Sequence, residues 1–110
     1  MVKVTFYRNS DKVLVGFKMD GHANYSEKGG DIVCSAVSML GQATVNGLHE
    51  VAGIKVTFSM RKGFLSCTIP KDLTAEQNIM AKAILGTMKV GLLNIKKNYS
   101  RYLYIDEEEV

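Results

Sequence analysis

The sequence has no tryptophan, one proline, two cysteines and two histidines in 110 residues. No Pro- or Ser-rich run marks a linker, and this length leaves little room for a second domain, so we expect one domain over residues 1–110. No apolar run is long enough to span a membrane, and the first residues alternate like a strand rather than forming the apolar core of a signal peptide. We therefore expect a cytoplasmic protein without a membrane partner, whose thiols stay reduced.

The charges of the chain are mixed rather than segregated. The formal net charge is +3, the lysines and arginines are scattered, and a short acidic segment at residues 106–109 opposes them. A mixed, solvated surface explains this pattern better than a dedicated nucleic-acid-binding face.

Alternating apolar residues predict the strands of the fold. They alternate over residues 2–6 and 13–19 with turn residues between, which indicates a β-hairpin. The same alternation over residues 54–60 and 65–69 predicts two further strands, and residues 102–105 are expected to form a short last strand.

Two segments have helical periodicity. Asp31 is a good N-cap for the first helix, Gly53 is its expected stop, and the interior glycines Gly41 and Gly47 indicate close packing. Residues 74–77 read as a capping box that opens the second helix. The residues predicted to face the core from this helix are Ile79, Ala83, Ile84, Met88, Leu92 and Ile95. The order is β-β-α-β-β-α-β, an α+β fold with two helices packed on a mostly antiparallel sheet.

Cys34 lies in the first turn of the first predicted helix. The N–H groups there lack helical partners and carry the positive end of the helix dipole, which favours a thiolate. The same donors, including the N–H of Cys34, can hold the oxyanion that forms when a thiolate attacks a carbonyl. Cys34 is therefore a candidate nucleophile.

His22 is the candidate partner of Cys34. It lies 12 positions earlier, in a polar segment over residues 20–30 with Gly21, Gly29 and Gly30, which we interpret as a loop. Imidazole titrates near neutral pH, so His22 can pair with the thiolate and then protonate a leaving amine. From the residues alone, an unreactive packed thiol remains the alternative.

The second cysteine and the second histidine lack such surroundings. Cys67 shares a strand face with Leu65 and Ile69, so we interpret it as a small buried apolar residue. His49 lies near the end of the first helix on its polar side, where a surface role is expected.

Residues 21–38, which read GHANYSEKGGDIVCSAVS, resemble the signature of the bacterial ribosomal-processing cysteine proteases. That signature has a Gly-His-Ala start, a glycine-bearing loop, and Asp-x-Val-Cys opening a helix with a serine four positions on. The resemblance implies that His22 and Cys34 form the catalytic pair of an endopeptidase. It also implies removal of a short N-terminal extension from large-subunit ribosomal protein twenty-seven, after an aromatic residue.

The resemblance implies further properties that the residues leave open. The family's aspartate corresponds to Asp31, which either caps the helix or orients His22, and its serine to Ser38, which either donates a hydrogen bond or permits close packing. A homodimer is implied, as is a mobile loop over residues 24–30. The glycines assigned to this mobile segment are Gly21, Gly29 and Gly30.

Two other functions compete with proteolysis. A non-catalytic ribosome-assembly or RNA-binding module fits the small basic domain, although a sheet that reads RNA usually presents aromatic residues among basic ones. A thiol redox protein would need a second cysteine near the first, which the sequence lacks. We expect no metal and no cofactor, since no zinc-ligand spacing or phosphate-binding glycine loop is present. We expect contact with nucleic acid only through the ribosome.

Overall fold

A computed structural model of the protein describes residues 1–21 and 32–110 in full and the backbone of residues 30 and 31. The elements are, in chain order, β1 (Val2–Arg8), β2 (Leu14–Gly21), α1 (Gly30–Asn46), a π-helical turn (Gly47–Val51), β3 (Thr57–Arg61), β4 (Phe64–Thr68), α2 (Ala75–Asn98) and β5 (Leu103–Glu109). The predicted order of strands and helices is confirmed. Among the residues described, no helix is both long and apolar enough to cross a bilayer.

The five strands form one sheet in the order β3-β4-β2-β1-β5. Neighbouring strands are antiparallel except β1 and β5, which run parallel, so the sheet is mostly antiparallel as predicted. Val2 pairs with Gly21 at one end of the sheet, and the N–H of Gly21 donates to the carbonyl of Gly63 at 3.0 Å. The start of β1, the end of β2 and the β3–β4 turn therefore meet at one edge of the molecule.

Helix α1 approaches the sheet closely at Gly41. A Cβ atom built there would lie 2.6 Å from Met19 Sδ and 2.8 Å from Leu65 Cδ2, both on buried side chains. A Cβ built at Gly47 would lie 3.6 Å from Ile84 Cγ2, an ordinary contact distance. The prediction of close packing is confirmed at Gly41.

The helical stretch after Gly41 and the strand that follows differ from the prediction. The chain changes from α-helix to a π-helical turn at Gly47, and Gly53, with a positive φ of 65°, follows the end of that turn. Strand β3 begins at Thr57, and all five of its residues are exposed. The predicted third strand is therefore confirmed with a later start than residue 54, and its side chains are exposed because β3 is the edge of the sheet.

Helix α2 begins as the sequence predicts, and its predicted inner face is confirmed in part, since Met88 and Leu92 are buried. Thr74 Oγ1 accepts a hydrogen bond from the N–H of Gln77, whose side-chain Oε1 accepts one from the N–H of Thr74. The capping box is confirmed. Ile79 and Ala83 are exposed, contrary to the prediction. The buried residues are Ala81, Leu85, Met88 and Leu92.

The acidic segment lies in β5, which is longer than the predicted last strand. β5 pairs with β1 over its whole length. Glu107 lies 2.6 Å from Lys89 Nζ and 3.1 Å from Arg8 Nε, and it thereby connects β5 to α2 and β1. These side chains are about one-third exposed, so each ion pair contributes only about 0–1 kcal/mol.

Substitution of the two interior glycines should have opposite effects on stability. Gly41→Ala should lower the free energy of unfolding by about 1–3 kcal/mol, because the new methyl group has no space beside Met19 and Leu65. Gly47→Ala is the matched control, and it should be neutral or stabilising by up to about 1 kcal/mol. Urea denaturation of both variants measures the difference, and equal stabilities would show that α1 can move away from the sheet without cost.

Candidate active site

Cys34 is the fifth residue of α1, because the helix begins at Gly30 and therefore one residue before the predicted cap. In a regular helix beginning there, the N–H of Cys34 bonds to the carbonyl of Gly30. Its N–H is thus a helical donor, and the expectation that it lacks a helical partner is wrong. Among the described residues, the N–H groups left for an anion are those of Gly30, Asp31 and Ile32.

Cys34 is half-buried and borders an open cavity of about 190 Å³. The cavity lies where the first turns of α1 meet the start of β1, the end of β2 and the β3–β4 turn. Val2, Met19 and Val37 supply part of its apolar wall, and Ser38 and Arg61 supply part of its polar wall. The cavity is open, so a substrate peptide can reach the position of Cys34 from solvent.

Gly21 borders the same cavity and holds one of its edges in place. It is the last residue of β2, with a positive φ of 97°, and a Cβ atom there would lie 2.6 Å from the carbonyl oxygen of Met1. A side chain is therefore excluded on both conformational and steric grounds. Gly21 belongs to a strand and Gly30 to a helix, so neither lies in the loop to which the sequence assigned them. Gly29 and His22 lie outside the described residues.

Ser38 lies one helical turn beyond Cys34 and borders the same cavity, as the sequence spacing predicts. It is exposed, which favours a hydrogen-bonding role over close packing. Asp31 lies in the first turn of α1, inside the helix rather than at its cap position. Its side chain lies outside the described part of the chain, so its orienting role remains a prediction.

The β3–β4 turn supplies cavity residues that sequence reasoning missed. Arg61, Lys62 and Phe64 border the cavity, and the Arg61 guanidinium carbon lies 3.9 Å from the centroid of the Phe64 ring. Two cationic side chains at the rim favour negative charge in the cavity, such as a developing oxyanion. The sequence predicted a turn at Arg61 and Lys62. It did not show that this turn lies beside Cys34, because that position depends on strand pairing.

Cys67 and His49 lie in surroundings unlike those of Cys34, as predicted. Cys67 is buried on β4 and paired with Phe17, and loss of hydration raises the pKa of its thiol to about 11. His49 is exposed, with Nδ1 3.5 Å from a carboxylate oxygen of Glu50. Cys34 and Cys67 are not joined by a disulfide bond. Within the described residues, no group of three or more His, Cys, Asp or Glu side chains is placed to hold a metal.

Known proteins are similar to this chain in architecture and in sequence. The family model of the cysteine protease Prp matches residues 1–104. The ribosomal processing cysteine protease Prp of Bacillus subtilis (strain 168) is 30% identical over 107 residues, which cover 96% of each chain. The crystal structure of SMU.848 from Streptococcus mutans superimposes with a TM-score of 0.84 at 26% identity, covering 100% of this chain and 96% of that chain.

A crystal structure of the essential ribosomal processing protease Prp from S. aureus, in complex with a covalently linked product peptide, has a TM-score of 0.83 at 25% identity. The match covers 98% of this chain and 100% of that chain. The family model and the Bacillus relative both match nearly the whole length of the sequence. The chain therefore belongs to the Prp family of cysteine proteases.

Proposed function

We propose that the protein is an endopeptidase that removes a short N-terminal extension from large-subunit ribosomal protein twenty-seven, with Cys34 as nucleophile and His22 as general base. One observation carries the assignment of the nucleophile. Cys34 borders an open cavity at a helix start, whereas Cys67 is buried in the core. Gly21, which directly precedes His22 in the sequence, borders the same cavity. This position supports the choice of His22 as the general base.

The proposed reaction has two steps. In the first, the Cys34 thiolate attacks the scissile carbonyl, the C–N bond breaks, the imidazolium of His22 protonates the leaving amine, and a thioester remains. In the second, His22 takes a proton from water, hydroxide attacks the thioester, and the C–S bond breaks, which releases the product carboxylic acid and regenerates the Cys34 thiolate and the imidazolium of His22. The product peptide covalently linked to the S. aureus relative supports a covalent step.

The residues around Cys34 suit an aromatic side chain in the substrate. The walls of the cavity include the apolar side chains of Met19, Val37 and Leu65, and Phe64 lies at the rim. The name of the Bacillus relative supports ribosomal processing as the biological context. We also propose that the protein acts in the cytoplasm, where a catalytic thiol remains reduced.

The outward face of α2 supports the proposal of a homodimer. Ile79, Ala83, Gly86, Val90 and Leu93 recur at intervals of three or four residues, opposite the buried face. Ile79, Val90 and Leu93 are large exposed apolar residues, and nothing lies within 4 Å of a Cβ built at Gly86. Ile79 and Leu93 are each seven residues from Gly86. Two α2 helices crossing antiparallel at Gly86 would therefore set Ile79 of one copy against Leu93 of the other, as a two-fold interface requires.

The two thiols should differ sharply in reactivity. At pH 7 iodoacetamide should modify Cys34 at least about a hundredfold faster than Cys67, because the thiol with a pKa of about 11 is almost entirely protonated and is buried. Mass spectrometry of the alkylated peptides over time measures both rates. Labelling in concentrated urea is the control, where the rates should converge. Equal rates in the folded protein would contradict the assignment of the nucleophile.

Removal of either catalytic group should abolish processing. Cys34→Ala should leave no detectable cleavage of a peptide copying the ribosomal extension, and His22→Ala should lower kcat/KM by roughly a hundredfold or more. Cys67→Ala is the matched control and should keep most activity. Chromatographic separation of the products measures cleavage, and circular dichroism checks folding. Cleavage by a folded Cys34→Ala variant would refute the proposal.

A charge on the outward face of α2 should dissociate the dimer. Val90→Asp should produce a monomer in sedimentation equilibrium, because an aspartate buried in an apolar interface loses its hydration. Val51→Asp is the matched control, since Val51 is also an exposed valine, 72% accessible against 59% for Val90. This variant should remain a dimer. If both variants remained dimeric, the interface would have to lie elsewhere on the molecule.

A further inference from the structure

The apolar side of the sheet continues beyond the part that the helices cover. Phe58 pairs with Cys67 and Met60 pairs with Leu65, so these β3 side chains lie on the same face as two buried residues of the core. Phe58 is nevertheless 57% exposed and Met60 59% exposed. The exposure arises because β3 is an edge strand, and the space beside it is a groove rather than packed core.

This groove, called here the α1–β3 groove, runs between the second half of α1 and strand β3. Val45 and His49 line it from the helix side, and Phe58 and Met60 line it from the strand side. Its volume is about 470 Å³, larger than that of the Cys34 cavity. It is therefore large enough for several side chains of a bound peptide.

The groove adjoins the cavity that is bordered by the proposed nucleophile. Gln42, Met60 and Leu65 border both spaces. Val45 lies 11 residues after Cys34, which is about 16 Å along a helix axis at 1.5 Å per residue. An extended peptide rises about 3.3 Å per residue, so its fourth or fifth residue from the scissile bond would reach the middle of the groove.

We propose that the α1–β3 groove is a second substrate subsite, which binds an apolar side chain of an extended peptide four or five residues from the cleaved bond. The inference rests on the proposed function, since it takes the Cys34 cavity as the place of cleavage. β3 suits such a ligand because an edge strand offers backbone groups to which an extended chain can add. A strand added beside β3 would direct alternate side chains toward Phe58 and Met60, which are two residues apart.

The test compares long and short peptides on a variant changed only in the groove. Phe58→Ala should lower kcat/KM about fivefold to tenfold on a peptide with six residues on each side of the bond, because remote apolar contacts contribute to transition-state binding. It should leave kcat/KM unchanged on a peptide with two residues on each side. Met39→Ala is the matched control, since Met39 is 62% exposed and lies outside the groove.

A binding measurement separates this proposal from the proposed function. In the Cys34→Ala background, adding Phe58→Ala should weaken binding of the long peptide by about fivefold to tenfold in fluorescence anisotropy. Peptides shortened from one end only should lose this sensitivity when the fourth or fifth residue is removed, which also identifies the side of the bond that the groove serves. Equal effects of Phe58→Ala on long and short peptides, or a change of oligomeric state instead, would overturn the subsite. If wild-type protein cleaved neither peptide, the proposed function itself would fail.

Discussion

The close approach of α1 to the sheet at Gly41 determines the position of the helix that carries Cys34. The absence of a side chain lets the helix backbone lie directly over Met19 and Leu65, so β2 and β4 support the same face of the helix that carries Cys34 two turns earlier. Val33 and Val37, both buried, hold the turns around Cys34 against the core. A larger residue at position 41 would lift the helix and alter the walls of the Cys34 cavity, because interiors are packed too densely to absorb extra atoms freely.

The two cysteine side chains of this protein lie in different environments. Cys67 lies inside the core, where the charged form loses hydration and the thiol stays protonated. Cys34 lies at the rim of the core, supported by buried neighbours on one side and open to a cavity on the other. Family membership makes the chain a cysteine protease, which argues against the non-catalytic and redox alternatives. Position in the fold then identifies which of its two thiols suits that chemistry.

Two apolar surfaces are exposed among the described residues, and both follow from the small number of layers in the fold. Two helices cover one face of a five-stranded sheet, so the edge strand β3 extends past α1. Helix α2 has apolar residues on both its inner and its outer side, and only the inner side can contact the sheet. A helix that is apolar on opposite faces is usually covered on both. The proposed substrate subsite and dimer interface assign these surfaces to different partners.

Local sequence signals determined much of the architecture. Strand alternation, the capping box at Thr74 and the glycine at position 53 fixed the order of the elements and most of their boundaries, because these signals act over a few neighbouring residues. The segment from Gly21 to Ser38 was sufficient to indicate the family and the candidate nucleophile, because the residues that carry the resemblance lie close together in the chain. Helix α1 begins at Gly30, two residues before the first helical position that a cap at Asp31 implies, since cap residues locate a terminus only approximately.

Tertiary structure alone decided which apolar residues are buried and which residues surround Cys34. Ile79 and Phe58 have the periodicity of core residues but are exposed, because helix rotation and sheet order determine what covers them. The parallel pairing of β5 with β1, and the placement of Arg61 and Lys62 beside Cys34, depend on contacts between segments far apart in the chain. Sequence periodicity records whether a residue can be buried. The partner that buries it is set by long-range packing, which no local pattern contains.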